Sequence, residues 1–166
     1  MIIIGILGDI GSGKSYVAQN FGYPVFNADY EVAKLYQQNK NIFNRLKAKL
    51  PKYINSFPIE KKDIADAILA NNNNLKKIVK IVHFEIRKKL NNFLKKNRSK
   101  RIVILDVPLL LENKINKKKD ILVYVQSKKL DILKNLKQYN YRLIIKRKSL
   151  ILLSKIILQK NQLKIL

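Results

Sequence analysis

The chain has 166 residues, 47% of them hydrophobic, which suits one domain of ordinary size with a buried core and excludes a disordered chain. It has no cysteine, so disulfides and thiolate metal sites are excluded. The formal net charge is +24, from 35 Lys+Arg against 11 Asp+Glu, but six of the cations are arginine and the other 29 are lysine. Lysine, asparagine and isoleucine are all abundant and share A/T-rich codons, so codon bias accounts for the charge without a nucleic-acid partner, although such a field attracts any polyanionic substrate.

In chain order, Ile2 to Leu7 is an apolar, β-branched run that predicts a buried strand. Met1 to Leu7 has no basic leader or small-residue cleavage site, and runs such as Leu150 to Leu153 fall far below the ~18 residues of a membrane span. The expectation is a cytoplasmic protein that does not enter the membrane. Gly8 to Gly13 is a glycine-rich turn, and Lys14 to Phe21 predicts a helix with Val17, Ala18 and Phe21 on one face.

Pro24 to Phe26 predicts a second strand ending at Asn27-Ala28-Asp29, followed by one helix from Tyr30 to Leu50 that Pro51 stops. Further helices are expected over Lys62 to Leu69 and Leu75 to Leu94, with Asn71 to Asn74 as a turn or helix start. In the second of these, Leu75, Ile78, Val79, Val82, Ile86 and Leu90 recur at helical spacing. Arg101 to Val107 is nearly all apolar and predicts a third strand buried on both faces, Ile121 to Val125 a fourth, and Lys128 to Leu166 helices. Strands separated by helices predict an α/β fold with an open parallel sheet of about four strands flanked by helices.

Gly8-Asp9-Ile10-Gly11-Ser12-Gly13-Lys14-Ser15 fits G-x-x-x-x-G-K-[ST] without a mismatch, and three of the chain's five glycines lie in it. Glycines let successive N–H groups turn toward an anion, and the following helix adds its positive end. In such a loop Lys14 reaches the β- and γ-phosphates of ATP and the Ser15 hydroxyl helps hold Mg²⁺. Tyr16, next in the chain, joins these eight residues as a candidate ATP contact. The fold class is therefore that of the P-loop NTPases.

Beyond the loop, the sequence resembles the dephospho-CoA kinase family in an ordered set of segments. These are the loop, Asn27-Ala28-Asp29 where the family has Asp-Ala-Asp, and His83-Phe84-Glu85-Ile86-Arg87 where it has His-Pro-x-x-Arg. Asp106-Val107-Pro108-Leu109-Leu110-Leu111-Glu112 follows, and then Arg147 and Gln162 at the spacing of the family's lid arginine and glutamine. Departures are Asp9 for a glycine, Asn27 for the first aspartate, Phe84 for the proline, and Leu143 where the first lid arginine falls, with Arg142 beside it. The family also continues into one more strand, a turn near the adenine and a last helix, beyond Leu166.

The resemblance implies ATP-dependent phosphorylation of the ribose 3′-hydroxyl of dephospho-CoA, with Mg²⁺. Asp29, Lys14 and Arg147 would be catalytic, Asp29 orienting the acceptor hydroxyl and taking its proton; capping of the next helix is the alternative role for Asp29. Asp29, His83, Arg87, Asp106 and Pro108 would bind the acceptor, Arg142 and Arg147 would neutralise charge on the ATP phosphates, and Ser15 and Asp106 would serve the metal. The implied organisation is one kinase domain: a core of 1–29 and 101–127, a helical acceptor subdomain of 30–100, and a lid with C-terminal helices over 128–166. Partners are the two small substrates, with no specific nucleic acid, and the chain is expected to be monomeric. Three alternatives stay open: another small-metabolite or nucleotide kinase, a shortened ATP-binding relic, and a basic nucleic-acid binder.

Overall fold

The computed structural model describes residues 1–8, 11–107 and 121–126. Their strands are β1 (Ile2–Gly8), β2 (Val25–Asn27), β3 (Ile102–Asp106) and β4 (Ile121–Val125). Their helices are α1 (Lys14–Asn20), α2 (Ala28–Gln38), α3 (Lys40–Lys49), α4 (Lys61–Ala70) and α5 (Asn72–Lys96). The strands form a four-stranded parallel sheet in the order β2-β3-β1-β4, the α/β arrangement expected from the sequence. The helices expected over Lys128 to Leu166 lie outside the described residues.

The chain divides into two compact units, one of Met1 with Pro24–Val103, the other of the described residues within 2–23 and from 104 onward. In the second unit β1 pairs in parallel with β4, Ile4 opposite Ile121 and Gly8 opposite Val125. Ile4 and Ile6 are buried, as are Ile104 and Leu105 of β3, which meets the expectation that this near-continuous apolar strand is covered on both faces.

The first unit is built around α5. Leu75, Ile78, Val82, Ile86 and Leu90 bury one side of that helix, together with Leu35 of α2, Ile42 and Leu46 of α3, and Ile64, Ala67 and Ile68 of α4. Asn71 starts α5 by accepting the Asn73 N–H at 2.8 Å, and the Asn74 side chain donates to the Ala67 carbonyl at 2.9 Å, tying α5 back to α4. The Phe26 and Phe93 rings meet at 5.5 Å, and the Lys89 ammonium bonds Glu31 at 2.7 Å, so β2 and the first turn of α2 are both fastened to α5.

One element differs from expectation. The single helix read over Tyr30 to Leu50 is two, because Asn39 takes extended angles (φ −102, ψ 95) between them. Its N–H closes α2 on the Leu35 carbonyl and its side chain accepts the Ile42 N–H at 3.0 Å, starting α3. The short amide satisfies the next helix's orphan donor only if the chain leaves helical angles there.

Candidate active site

The phosphate loop spans the end of β1 and the start of α1. A side chain at Gly8 would meet the Val125 carbonyl oxygen at 2.5 Å and the Ser12 hydroxyl at 2.8 Å, and its φ of +145 is a conformation that L-residues rarely adopt. Glycine is therefore required at this point by both sterics and backbone. Gly11 (φ 79) and Gly13 (φ 85) are left-handed as well, and Gly13 hands the chain to α1, its carbonyl accepting the Val17 N–H at 3.0 Å.

The Lys14 ammonium donates to the Gly8 carbonyl at 2.8 Å, so the loop holds its own cation across its mouth. Ser12 is buried, while Ser15 is exposed and Tyr16 is 73% exposed. Asp9 and Ile10 lie outside the described residues. Asp106 ends β3, the strand beside β1, and is 4% exposed, so the second unit carries both the loop and a buried carboxylate at the C-terminal end of the neighbouring strand. That edge is where open α/β sheets place their ligands.

The first unit holds the other candidates. Asp29 sits inside the first turn of α2, not at a strand end, because β2 stops at Asn27 and the helix begins at Ala28. The cap is Asn27, whose side chain accepts the Tyr30 N–H at 2.8 Å, so the capping alternative for Asp29 is overturned. A carboxylate in a helix's first turn is favoured by the dipole without capping it.

His83 and Arg87 are one turn apart on α5. Burial, and then the Arg87 charge, hold the His83 imidazole below its ordinary value of 6.5. Arg87 lines a cavity of about 440 Å³ with Phe84, Lys88, Asn91, Asn92 and Lys95; motif reasoning notes Phe84 only as a departure and gives none of these five a role. A signal for them exists in the sequence, since 84, 87, 88, 91, 92 and 95 share one face of a helix. Pro108, Arg142 and Arg147 lie outside the described residues.

Sheet order and loop together define a P-loop nucleotide-binding protein of the α/β class. Residues 2–142 match the family model described as dephospho-CoA kinase. The dephospho-CoA kinase of Wolbachia sp. subsp. Brugia malayi (strain TRS) is 33% identical over 129 residues, covering 75% of this chain and 66% of that protein. The dephospho-CoA kinase of Wolbachia pipientis wMel is 34% identical over 131 residues, covering 76% and 67%. The crystal structure of TT1252 from Thermus thermophilus superposes with a TM-score of 0.72 at 26% identity, over 89% of this chain and 79% of that one. The chain belongs to the dephospho-CoA kinase family, a family of kinases, as its ordered segments imply. It spans about two thirds of the length of the Wolbachia relatives it matches.

Proposed function

We propose that this chain transfers the γ-phosphoryl group of ATP to the ribose 3′-hydroxyl of dephospho-CoA, giving CoA and ADP, the last step of coenzyme A biosynthesis. The observation that carries the reading is the loop geometry in a member of this family: a Gly8 with no room for a side chain and a Lys14 ammonium 2.8 Å from its carbonyl. Nucleotide phosphates replace the carbonyl as the partner of Lys14, exchanging one neutral acceptor for a charge-assisted contact.

The acceptor oxygen attacks the γ-phosphorus in line, the bond to the β–γ bridging oxygen breaks, ADP leaves, and Asp29 takes the hydroxyl proton. Arg87 and His83 bind the acceptor, and Arg142 and Arg147 neutralise charge on the transferred group. Mg²⁺, when bound with ATP, shields the β- and γ-phosphate charge. Ser15 and Asp106 offer the hard oxygen donors it prefers, and both belong to the second unit. Among the described residues no group of three or more His, Cys, Asp or Glu could hold a metal by itself. A Mg²⁺ carried largely by phosphates and water needs no such group.

The proposed organisation is a core of 1–29 and 101–127, an acceptor subdomain of 30–100 and a lid of 128–166. The described unit Pro24–Val103, built on α2 to α5, supports the middle part. The proposed chain is a cytoplasmic monomer without a specific nucleic-acid partner. Among the described residues no helix is long and apolar enough to cross a membrane. Its lysine charge gives DNA binding that is weak, sequence-independent and steeply salt-sensitive.

The test is a coupled ADP-release assay with purified chain, ATP, Mg²⁺ and dephospho-CoA. ADP release that depends on dephospho-CoA, with CoA as the second product, is expected. ATP binding without transfer overturns the enzymatic reading and favours an ATP-binding member that does not turn over.

A further inference from the structure

We infer that the outward face of α5 between Phe84 and Lys95 is an acceptor-binding surface, with the base of dephospho-CoA stacked on Phe84 and its diphosphate held by Arg87 and Lys88. The inference rests on the proposed function for the identity of the ligand. Phe84 and Lys88 lie outside the family pattern, which has proline at position 84 and ends at Arg87.

The cavity of about 440 Å³ over this face falls within the size range of small-molecule sites. Its described lining is Phe84, Arg87, Lys88, Asn91, Asn92 and Lys95: three cations, two amides, one aromatic ring and no carboxylate. The core does not use this side of the helix, because Val82, Ile86 and Leu90 are buried on the other. Phe84 is 61% exposed, an apolar ring set among cations, and so contributes little to burial. Its orientation is nevertheless held. The Arg45 guanidinium of α3 lies 5.9 Å from the ring centroid and is itself paired with Glu85 at 3.7 Å. A ring backed by a guanidinium on one face is a stacking platform on the other.

The order of the groups matches the ligand. At ~1.5 Å of rise per residue, Phe84 and Lys88 are ~6 Å apart along α5, which suits a base and the diphosphate beyond its ribose. Asn91 and Asn92 lie a turn further on, where they can exchange hydrogen bonds with the amides of the pantetheine arm, and Lys95 closes the row about 16 Å from Phe84. Lys89, on a neighbouring side of α5, bonds Glu31 in the α2 turn that carries Asp29, so the face and the proposed proton acceptor belong to the same unit.

The test is calorimetric titration of dephospho-CoA and, separately, of Mg·ATP into the full chain and into Phe84→Ala, Phe84→Tyr and Lys88→Ala, with steady-state KM values for both substrates. Urea midpoints confirm that each variant is folded. Phe84→Ala and Lys88→Ala are each expected to weaken dephospho-CoA binding by about tenfold and to raise its KM while leaving ATP binding in place. Phe84→Tyr keeps a stacking ring and should restore most of the affinity. Unchanged dephospho-CoA binding in both alanine variants of an active enzyme overturns the inference and leaves the proposed function standing. Binding that the variants weaken, in a chain showing no transfer, supports the surface and overturns the function. Equal losses for ATP and dephospho-CoA mark a general anion surface and overturn the inference, and no binding of dephospho-CoA to the wild-type chain overturns both.

Discussion

Gly8→Ala is the substitution whose consequence is fixed most directly by the geometry of the loop. The added methyl would stand 2.5 Å from the Val125 carbonyl oxygen, 2.8 Å from the Ser12 hydroxyl and 3.3 Å from the Val125 carbonyl carbon. The hydroxyl can rotate away. The carbonyl cannot move freely, because Val125 is paired with Gly8 in the parallel ladder between β4 and β1. The φ of +145 adds a strain that a Cβ cannot relieve. Backbone strain of this kind costs roughly 1–3 kcal/mol and overpacking roughly 1–3 kcal/mol, together about 2–6 kcal/mol. Against a total stability of about 5–15 kcal/mol, that brings the protein near its unfolding threshold.

Gly22→Ala provides the matched control. Gly22 is also left-handed (φ +71), just past the end of α1, but nothing lies within 4 Å of an added methyl. Only the backbone term of about 1–2 kcal/mol remains. Urea denaturation of both variants, followed by Mg·ATP titration of the folded fraction, separates the two contributions. Gly8→Ala should be the less stable of the pair and should lose nucleotide affinity. If it is no less stable than Gly22→Ala and binds ATP normally, the close approach of β4 to the loop does not constrain the phosphate site.

Lys14→Ala removes the cation now bonded to the Gly8 carbonyl, and calorimetry should show weakened Mg·ATP binding with turnover reduced or lost. The imidazole of His83, the chain's one histidine, should titrate by proton NMR below 6.5, and Arg87→Ala should move it part of the way back, since burial is the larger cause. Because the folded state holds that proton less tightly, the stability contributed by this group should fall as pH drops through 6.5. Burial pushes the Tyr36 hydroxyl up to about 12, so the unfolded chain ionises first and wild type should lose stability between pH 10 and 12, a loss that Tyr36→Phe should lack.

The strand and helix pattern of the described residues is legible in the sequence because it rests on short-range rules. Ile121 to Val125 is a strand over the bounds its apolar run suggests, and the helical spacing from Leu75 to Leu90 gives the buried side of α5. The loop is legible because its spacing encodes a backbone shape. Three features are not. The break at Asn39 depends on a side chain choosing the next helix's donor over helical angles, which composition does not reveal. The pressure of Val125 on Gly8 joins residues far apart in sequence through strand pairing. The face around Arg87 escapes notice because a run of lysines and asparagines reads as solvated surface, and its aromatic member becomes informative only once Arg45 is seen over the ring.

The separation of Asn27 from Asp29 makes the proton-acceptor role open to a clean test. With the cap assigned to Asn27, removing it should lower stability by ~1 kcal/mol, the usual value of an N-cap hydrogen bond. Asp29 supplies first-turn negative charge, worth below ~1 kcal/mol, and gives the helix no cap. Asp29→Asn should therefore leave the fold and Mg·ATP affinity nearly as they are. If Asp29 accepts the proton of the acceptor hydroxyl, the same change should cut transfer to dephospho-CoA by ~10²-fold or more, since an amide cannot take that proton. Asn27→Ala should show the reverse balance, with lower stability and a transfer rate that follows the folded fraction. Measuring denaturation midpoints and transfer rates for both variants distinguishes the two roles. An Asp29→Asn enzyme that transfers at the wild-type rate removes Asp29 from the chemistry and leaves it as a favourable charge at the start of α2.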